Sequence, residues 1–375
     1  MKNSIGKHVQ ISVFGESHGE AIGVVIDGLA AGIKLDLDYI NHKLDLRRPK
    51  GRTGTARREA DELHFISGYF NGYTTGSPLS LIFSNSDTHS NDYEQLKHIM
   101  RPSHADYSAN QKYDGYNDYR GGGHFSGRLT AAIVAAGAIA AGILASKGIK
   151  IASHITKMGS LIDQDFNQED LTVLETQMHL LNQSDFPVID QQIKEKMQTH
   201  IEEAAKAGDS VGGIVETIIL GLDAGYGEPM FDSLESTLAH YLFSVPALKG
   251  VEFGLGFDFA NYYGSEVNDA LYYDKGIVKT KTNNNGGING GISNGMPIIY
   301  RSVIKPTPSI YQEQDSIDLT TQQNVKMIIN GRHDPAIVHR ARVVIDCVSA
   351  LALLDSILEV KGSEWMKGDA SWNMD

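Results

Sequence analysis

The side chains that could do chemistry fall into a few short stretches of this 375-residue chain. Gly15-Glu-Ser-His-Gly19 offers a hydroxyl and an imidazole. Arg101-Pro-Ser-His-Ala-Asp106 and Gly331-Arg-His-Asp-Pro335 each group a cation, an imidazole and a carboxylate. Tyr119-Arg-Gly-Gly-Gly-His-Phe-Ser-Gly-Arg128 sets three consecutive glycines between arginines, and Lys305-Pro-Thr-Pro-Ser309 puts an ammonium and two hydroxyls on a proline-stiffened backbone. Arginine forks and hydroxyls beside lysine suit phosphates and carboxylates, glycine runs let a backbone approach a ligand, and histidine or aspartate within reach can move protons. Each stretch also has a plain structural reading: a tight turn before a core helix, a solvated basic loop, a rigid edge turn, or an Asp that only pairs with arginine. The 14 histidines show no H-E-x-x-H or other close ligand spacing and Cys347 is the lone cysteine, so no metal site is expected.

The elements that must hold these groups follow from periodicity. Gln10–Phe14 and Ala21–Asp27 read as strands, which makes Gly15–Gly19 a hairpin turn. That pentapeptide also matches the G-x-S-x-G of serine hydrolases with Ser17 as nucleophile, a reading that requires a helix directly after Gly19. Residues 35–46 have helical spacing ended by Arg47-Arg48-Pro49, and a basic loop with Arg52, Arg57 and Arg58 follows. Residues 65–83 read as short strands between turn signals. Pro102 keeps His104 on a loop. Ser126 is a candidate N-cap for the Ala- and Gly-rich run to Ser146, a helix expected to be buried against close neighbours. Residues 161–206 are polar and Gln-rich with a helical tail, expected on the surface; 214–220, 298–304 and 343–358 read as strand, strand and helix.

Some of these features recur in order. Gly15-Glu-Ser-His-Gly19 resembles Gly208-Asp-Ser-Val-Gly212, and at the same spacing Gly28-Leu29 falls on Gly221-Leu222 and Ala31-Gly32 on Ala224-Gly225. Asn71-Gly72…Gly76-Ser-Pro78 resembles Asn289-Gly290…Gly295-Met-Pro297, and Arg128 resembles Arg340, each before a helix. The order predicts an internal duplication, with halves roughly 1–150 and 205–360, a polar connection roughly 160–206, and a ligand site between the halves of one pseudo-twofold α/β domain.

Composition bounds the function. A net charge of −13 argues against nucleic-acid binding and means that any anion site must gather its arginines locally. One cysteine and no apolar leader fit a reducing cytoplasm, and the uncharged run 129–145 is too short and Ala-rich for a membrane span.

Taken together and in order, the stretches at 15–19, 101–106, 119–123, 305–309 and 331–335 resemble the chorismate synthase family, from about residue 5 to about residue 360. The resemblance implies a β-α-β layered sandwich with internal pseudo-symmetry, assembled as a homotetramer, and an FMN-dependent lyase. That lyase would convert 5-enolpyruvylshikimate 3-phosphate to chorismate by 1,4-anti elimination of phosphate, using FMN reduced externally, with NADPH a candidate ultimate donor. By position, Arg47, Arg52, Arg101, Arg128 and Arg340 resemble the substrate's anion clamp. His18 resembles the general acid for the leaving phosphate, with Ser17 and Ser126 beside the reaction, and His104 the histidine that manages protonation of reduced flavin. Asp334 resembles the carboxylate near flavin N5. His124, Phe125, Ser126, Ala247, Gly290, Lys305, Pro306, Thr307, Pro308, Ser309 and Arg332 match the flavin-binding positions. The chain departs from the family in Gly123-His-Phe-Ser-Gly-Arg128, where Gly-Arg-Ser-Ser-Ala-Arg is usual, in Ser103 for the usual glycine, and in Pro246 for a common asparagine. A serine hydrolase and a phosphate-binding or catalytically impaired relative are the competing readings.

Overall fold

Alternation of apolar and polar residues builds two antiparallel sheets in a computed structural model that describes residues 2–50, 61–85, 97–329, 331 and 333–367. The first sheet joins β1 (Ser4–Ile5), β2 (Gln10–Gly15), β3 (Ala21–Asp27), β4 (Leu63–Ser67) and β7 (Leu79–Ser84) in the order β1-β2-β3-β7-β4. Ile22, Val24 and Ile26 of β3 and Leu79, Leu81 and Phe83 of β7 point to one face and are buried, as the period of two requires. The second sheet joins β8 (Lys150–Met158), β9 (Leu161–Ile162), β10 (Gly213–Leu220), β11 (Leu248–Phe253) and β16 (Ile298–Ile304) in the order β11-β16-β10-β8-β9. Two-stranded ribbons fill the connections: β5 (Tyr69–Phe70) with β6 (Tyr73–Thr74), β12 (Leu271–Asp274) with β13 (Ile277–Thr280), β14 (Ile288–Asn289) with β15 (Ile292–Ser293), and β17 (Gln314–Asp318) with β18 (Gln323–Met327).

Four helices lie between the sheets: α1 (Leu37–Arg47), α3 (Thr130–Ser146), α6 (Leu234–Leu242) and α8 (Val338–Lys361). α3 packs on β2, β3 and β7 and reaches β8, whereas α8 packs on β8 and β10, so the layers run sheet, helices, sheet. The α3–α8 contact is close because Gly137 has no side chain. A Cβ there would lie 2.3 Å from Cβ and 2.5 Å from the carbonyl oxygen of Cys347. Gly127–Ser146 is apolar enough to cross a membrane by composition, but 72% of it is buried inside the protein; it is the core helix that its Ala and Gly content predicts. α2 (Asp106–Lys112) and α7 (Gly264–Val267) are short.

The polar stretch 161–206 is more than a surface connection. It folds into α4 (Leu171–Gln183) and α5 (Gln191–Lys206). Leu174, Met178 and Leu181 of α4 cover Ala152, Ile218 and Ile299 on the outer face of the second sheet. The Gln-rich composition hid this because only one stripe of each helix is apolar.

Four strands of the two sheets correspond in both spatial and chain order, β2 with β8, β3 with β10, β4 with β11 and β7 with β16, while at the remaining edge β1 precedes its neighbour β2 in the chain and β9 follows its neighbour β8. The likeness extends to single hydrogen bonds. Thr74 Oγ1 donates to Ala30 O (2.7 Å) and accepts from Ile33 N (2.9 Å), while Ser293 Oγ donates to Asp223 O (2.7 Å) and accepts from Tyr226 N (3.0 Å). These bonds correct the alignment by one residue in the ribbon turns: Asn71-Gly72 (φ 48° and 88°) matches Gly290-Gly291 (φ 62° and 87°), not Asn289-Gly290.

Candidate active site

The first turns of α3 and α8, the C-terminal end of α1, the start of β11 and residues 305–308 surround a cavity of about 1050 Å³. Both long helices point their N-terminal ends into it, which favours anions before any side chain is counted. Arg47, Arg128 and Arg340 line it. Asp61 holds the first two: its carboxylate meets Arg47 Nη2 at 2.8 Å and pairs with Arg128. Burial alone would raise the Asp61 carboxyl, but the two guanidiniums outweigh it and keep it below the usual carboxylate range. Arg128 is further fixed by Asn85 Oδ1 (3.0 Å), and its backbone N–H donates to the N-cap hydroxyl of Ser126 (3.2 Å). Arg340 donates from Nε to Arg47 O (2.7 Å) and from Nη1 to Asp334 Oδ2 (2.6 Å), so Asp334 stands in an ion pair on the cavity wall. Sequence reading missed Asp61 and Asn85; the acidic residue closing the basic loop was the available signal.

His104 lines the same cavity and bonds through Nε2 to Ser309 Oγ at 2.8 Å. Burial, with Arg101 next, pushes its pKa down to about 4, so the ring is neutral at pH 7. The preceding Ser103 has φ 58°, a backbone conformation that explains why glycine suits this position. Its carbonyl accepts from Lys305 Nζ at 2.6 Å. His124, Phe125, Ser126, Ala247, Thr307 and Pro308 also border the cavity.

The glycine loop differs from the expectation of a backbone opened to a ligand. Gly121, Gly122 and Gly123 all have positive φ, but the space beside two of them is filled by protein. A Cβ on Gly121 would lie 2.1 Å from the His18 ring, and one on Gly123 2.0 Å from Asp118 O. Ser17 N donates to Gly123 O (3.1 Å) and His124 Nδ1 meets Gly15 O (2.9 Å), so the loop clasps the 15–19 hairpin. The histidine that replaces the family's arginine therefore ties two loops together. A strand, β3, follows Gly19, and Ser17 is 1% exposed, which removes the hydrolase reading.

Not every expected residue reaches this cavity. His18 is buried behind Gly121, and Ser17 beside it. Arg101 pairs with Asp106 through Nε and Nη2 (2.7 and 2.8 Å) and lines a neighbouring cavity of about 400 Å³, separated by a wall that includes His104, Phe125 and Ser126. Pro306 and Ser309 sit just off the lining, the latter reaching it through His104. Gly290, at the tip of the β14–β15 turn, is not brought to the cavity. Arg52 and Arg332 lie outside the described residues, as do Arg57 and Arg58.

A profile of the family described as chorismate synthase matches residues 9–358. The chain belongs to the chorismate synthase family. Chorismate synthase of Pyrococcus abyssi is 46% identical over 353 residues, spanning 94% of this chain and 97% of the relative. That of Chitinophaga pinensis is 43% identical over 357 residues, spanning 95% and 96%. A crystal structure of chorismate synthase superposes with a TM-score of 0.75 at 27% identity, covering 96% of each chain. The sandwich is thus the fold of this family.

Proposed function

We propose that this chain is the lyase that converts 5-enolpyruvylshikimate 3-phosphate to chorismate with reduced FMN. The observation that carries the reading is one cavity lined by Arg47, Arg128 and Arg340, by His104 and Asp334, and by Lys305 with Thr307. A substrate with two carboxylates and a phosphate, together with a flavin phosphate, needs that many donors. Its size, about 1050 Å³, is at or above the roughly 300–1,000 Å³ typical of one small-ligand site, which suits substrate and cofactor held together. Thr307 Oγ1 is buried with no hydrogen-bond partner, a donor left for a ligand, and Lys305 lies beside it in the chain. His124–Ser126, Ala247 and residues 305–309 are the flavin-binding side of the proposal; the family resemblance also implies Arg332, and Gly290, which lies off this cavity.

When bound, reduced flavin supplies transient electron donation to a reaction with no net redox change. The residues of this chain do the rest. Arg47, Arg128 and Arg340 hold the substrate's anions. The family resemblance adds Arg52, Arg101 from the neighbouring cavity, and His18, behind Gly121, as the proton donor to the leaving phosphate. Asp334 and the neutral His104 would take the ring proton and govern the protonation of a bound flavin. The enzyme works as a cytoplasmic homotetramer and takes its flavin reduced by an outside donor. The test is an anaerobic assay with dithionite-reduced FMN, following chorismate absorbance and phosphate. Equimolar products, abolished by His18→Ala and by Asp334→Ala, are expected. FMN binding without any chorismate from the wild-type chain would overturn the assignment.

A further inference from the structure

We propose that Lys249 is a second cation, paired with Lys305, for the phosphate monoester of the flavin, an inference that rests on the flavin reading above. Lys249 sits in a β-bulge. β11 pairs Leu248 with Ile304 and Gly250 with Val303 of β16, which leaves Lys249 as the extra residue. A bulge re-aims the side chain it carries, and here Leu248 and Lys249 both line the large cavity. The strand enters the bulge from Ala247, whose φ of 69° is a strained conformation for alanine. Ala247 O in turn accepts from Lys305 N at 3.0 Å, so the bulge and the lysine-proline segment are fastened together.

The charge balance singles this corner out. Each of the arginines lining the cavity has a carboxylate in attendance, Asp61 or Asp334. The lysines have none: among the described residues no carboxylate pairs with either, and Lys305 donates only to the Ser103 carbonyl. Two ammonium groups, one on β11 and one on the residue that follows β16, repel each other, and Lys249 contributes after burial to the lowered pKa of Lys305. A dianion placed between the two would turn that repulsion into attraction to both. A phosphate monoester carries close to two negative charges at pH 7, and the orphan hydroxyl of Thr307 adds a donor. The arginine end, already part-neutralised, suits singly charged carboxylates with its planar forks.

Lys249→Gln keeps the stem and removes the charge. Titrations of oxidised FMN and of riboflavin, followed by flavin fluorescence, should show FMN weakened about 10- to 100-fold, riboflavin unchanged, and Lys249→Arg close to wild type. Unchanged FMN affinity overturns the proposal. So does an equal loss for both flavins, which would mark a misfolded bulge, or a loss confined to 5-enolpyruvylshikimate 3-phosphate, which would assign the lysines to the substrate. If wild-type protein binds neither flavin, the cofactor reading itself has failed.

Discussion

At the scale of single residues, the site is held by groups kept away from their ordinary states. Ser103 and Ala247 carry left-handed backbone (φ 58° and 69°) on either side of Lys305, each at a cost of about 1–2 kcal/mol that the surrounding contacts must offset. His104 is kept neutral by burial and by Arg101, with a pKa pushed down to about 4. Its sign in folding is fixed by that direction. Between pH 6.5 and about 4 the unfolded chain binds a proton at this ring that the folded chain refuses, so stability falls as pH drops through this window. From pH 7 to pH 5 the loss from this group is roughly 2 kcal/mol. Thermal melts of wild type and His104→Gln at the two pH values test it: the variant should lose less stability than wild type on acidification. Equal losses would show that the ring titrates normally. The identity of His104 as a loop residue was legible from Pro102. Its neutrality was not, because that depends on Arg101, Lys305 and His333 being packed around it by distant parts of the chain. The same holds for Asp61, whose partners are brought to it by α1 and by the turn before α3.

At the scale of elements, glycine spacing carried much of the information. The strands at 10–15, 21–27, 213–220 and 298–304 and the helices at 37–47 and 130–146 follow from period and punctuation, and the hairpin reading of 15–19 follows from the β-branched run behind it. What could not be read was which glycines serve folding and which serve a ligand. Gly121 and Gly123 serve loop packing, and Gly137 serves helix packing. In α3 this distinction is testable. Gly137→Ala gains helix propensity but drives a methyl into the Cys347 backbone, so it should lower the melting temperature by several degrees. Gly142→Ala, five residues on and with nothing within 4 Å of the added carbon, should raise stability by about 0.5–1 kcal/mol. The pair is read by thermal melts of the two variants beside wild type. A neutral Gly137→Ala would mean that α3 and α8 separate more easily than their contact suggests.

At the scale of the whole molecule, two sheets that share four strands in one order have been given different chemistry, and we infer that they are the two copies of a duplication. One cross-strand row makes the contrast. In the first sheet it reads Phe14, Gly23, Ile82, His64, with the Phe14 ring lying over Gly23. In the second the matching row is His154, Glu216, Arg301, Glu252. That charged row is where residues 160–206 attach. His154 is fully buried, with Nδ1 2.9 Å from Asp163 Oδ2 and Nε2 3.1 Å from Glu216 Oε2. The same Asp163 accepts the backbone N–H groups of Ile189 and Asp190 at the head of α5 (2.6 and 2.9 Å). Both ring nitrogens must donate, so the ring is an imidazolium; burial would lower its pKa, but the two carboxylates outweigh burial and raise it. Its contribution is therefore complete below pH 6.5 and is lost as pH rises through the raised value. His154→Gln leaves two buried carboxylates without their cation and should cost about 3 kcal/mol or more. The loss should also be local. In hydrogen exchange, α4, α5 and β9 should open faster while the first sheet keeps its protection. Uniform exchange across the chain would instead mean that the added helices are bound into the same cooperative unit as the sandwich, and that His154 stabilises all of it.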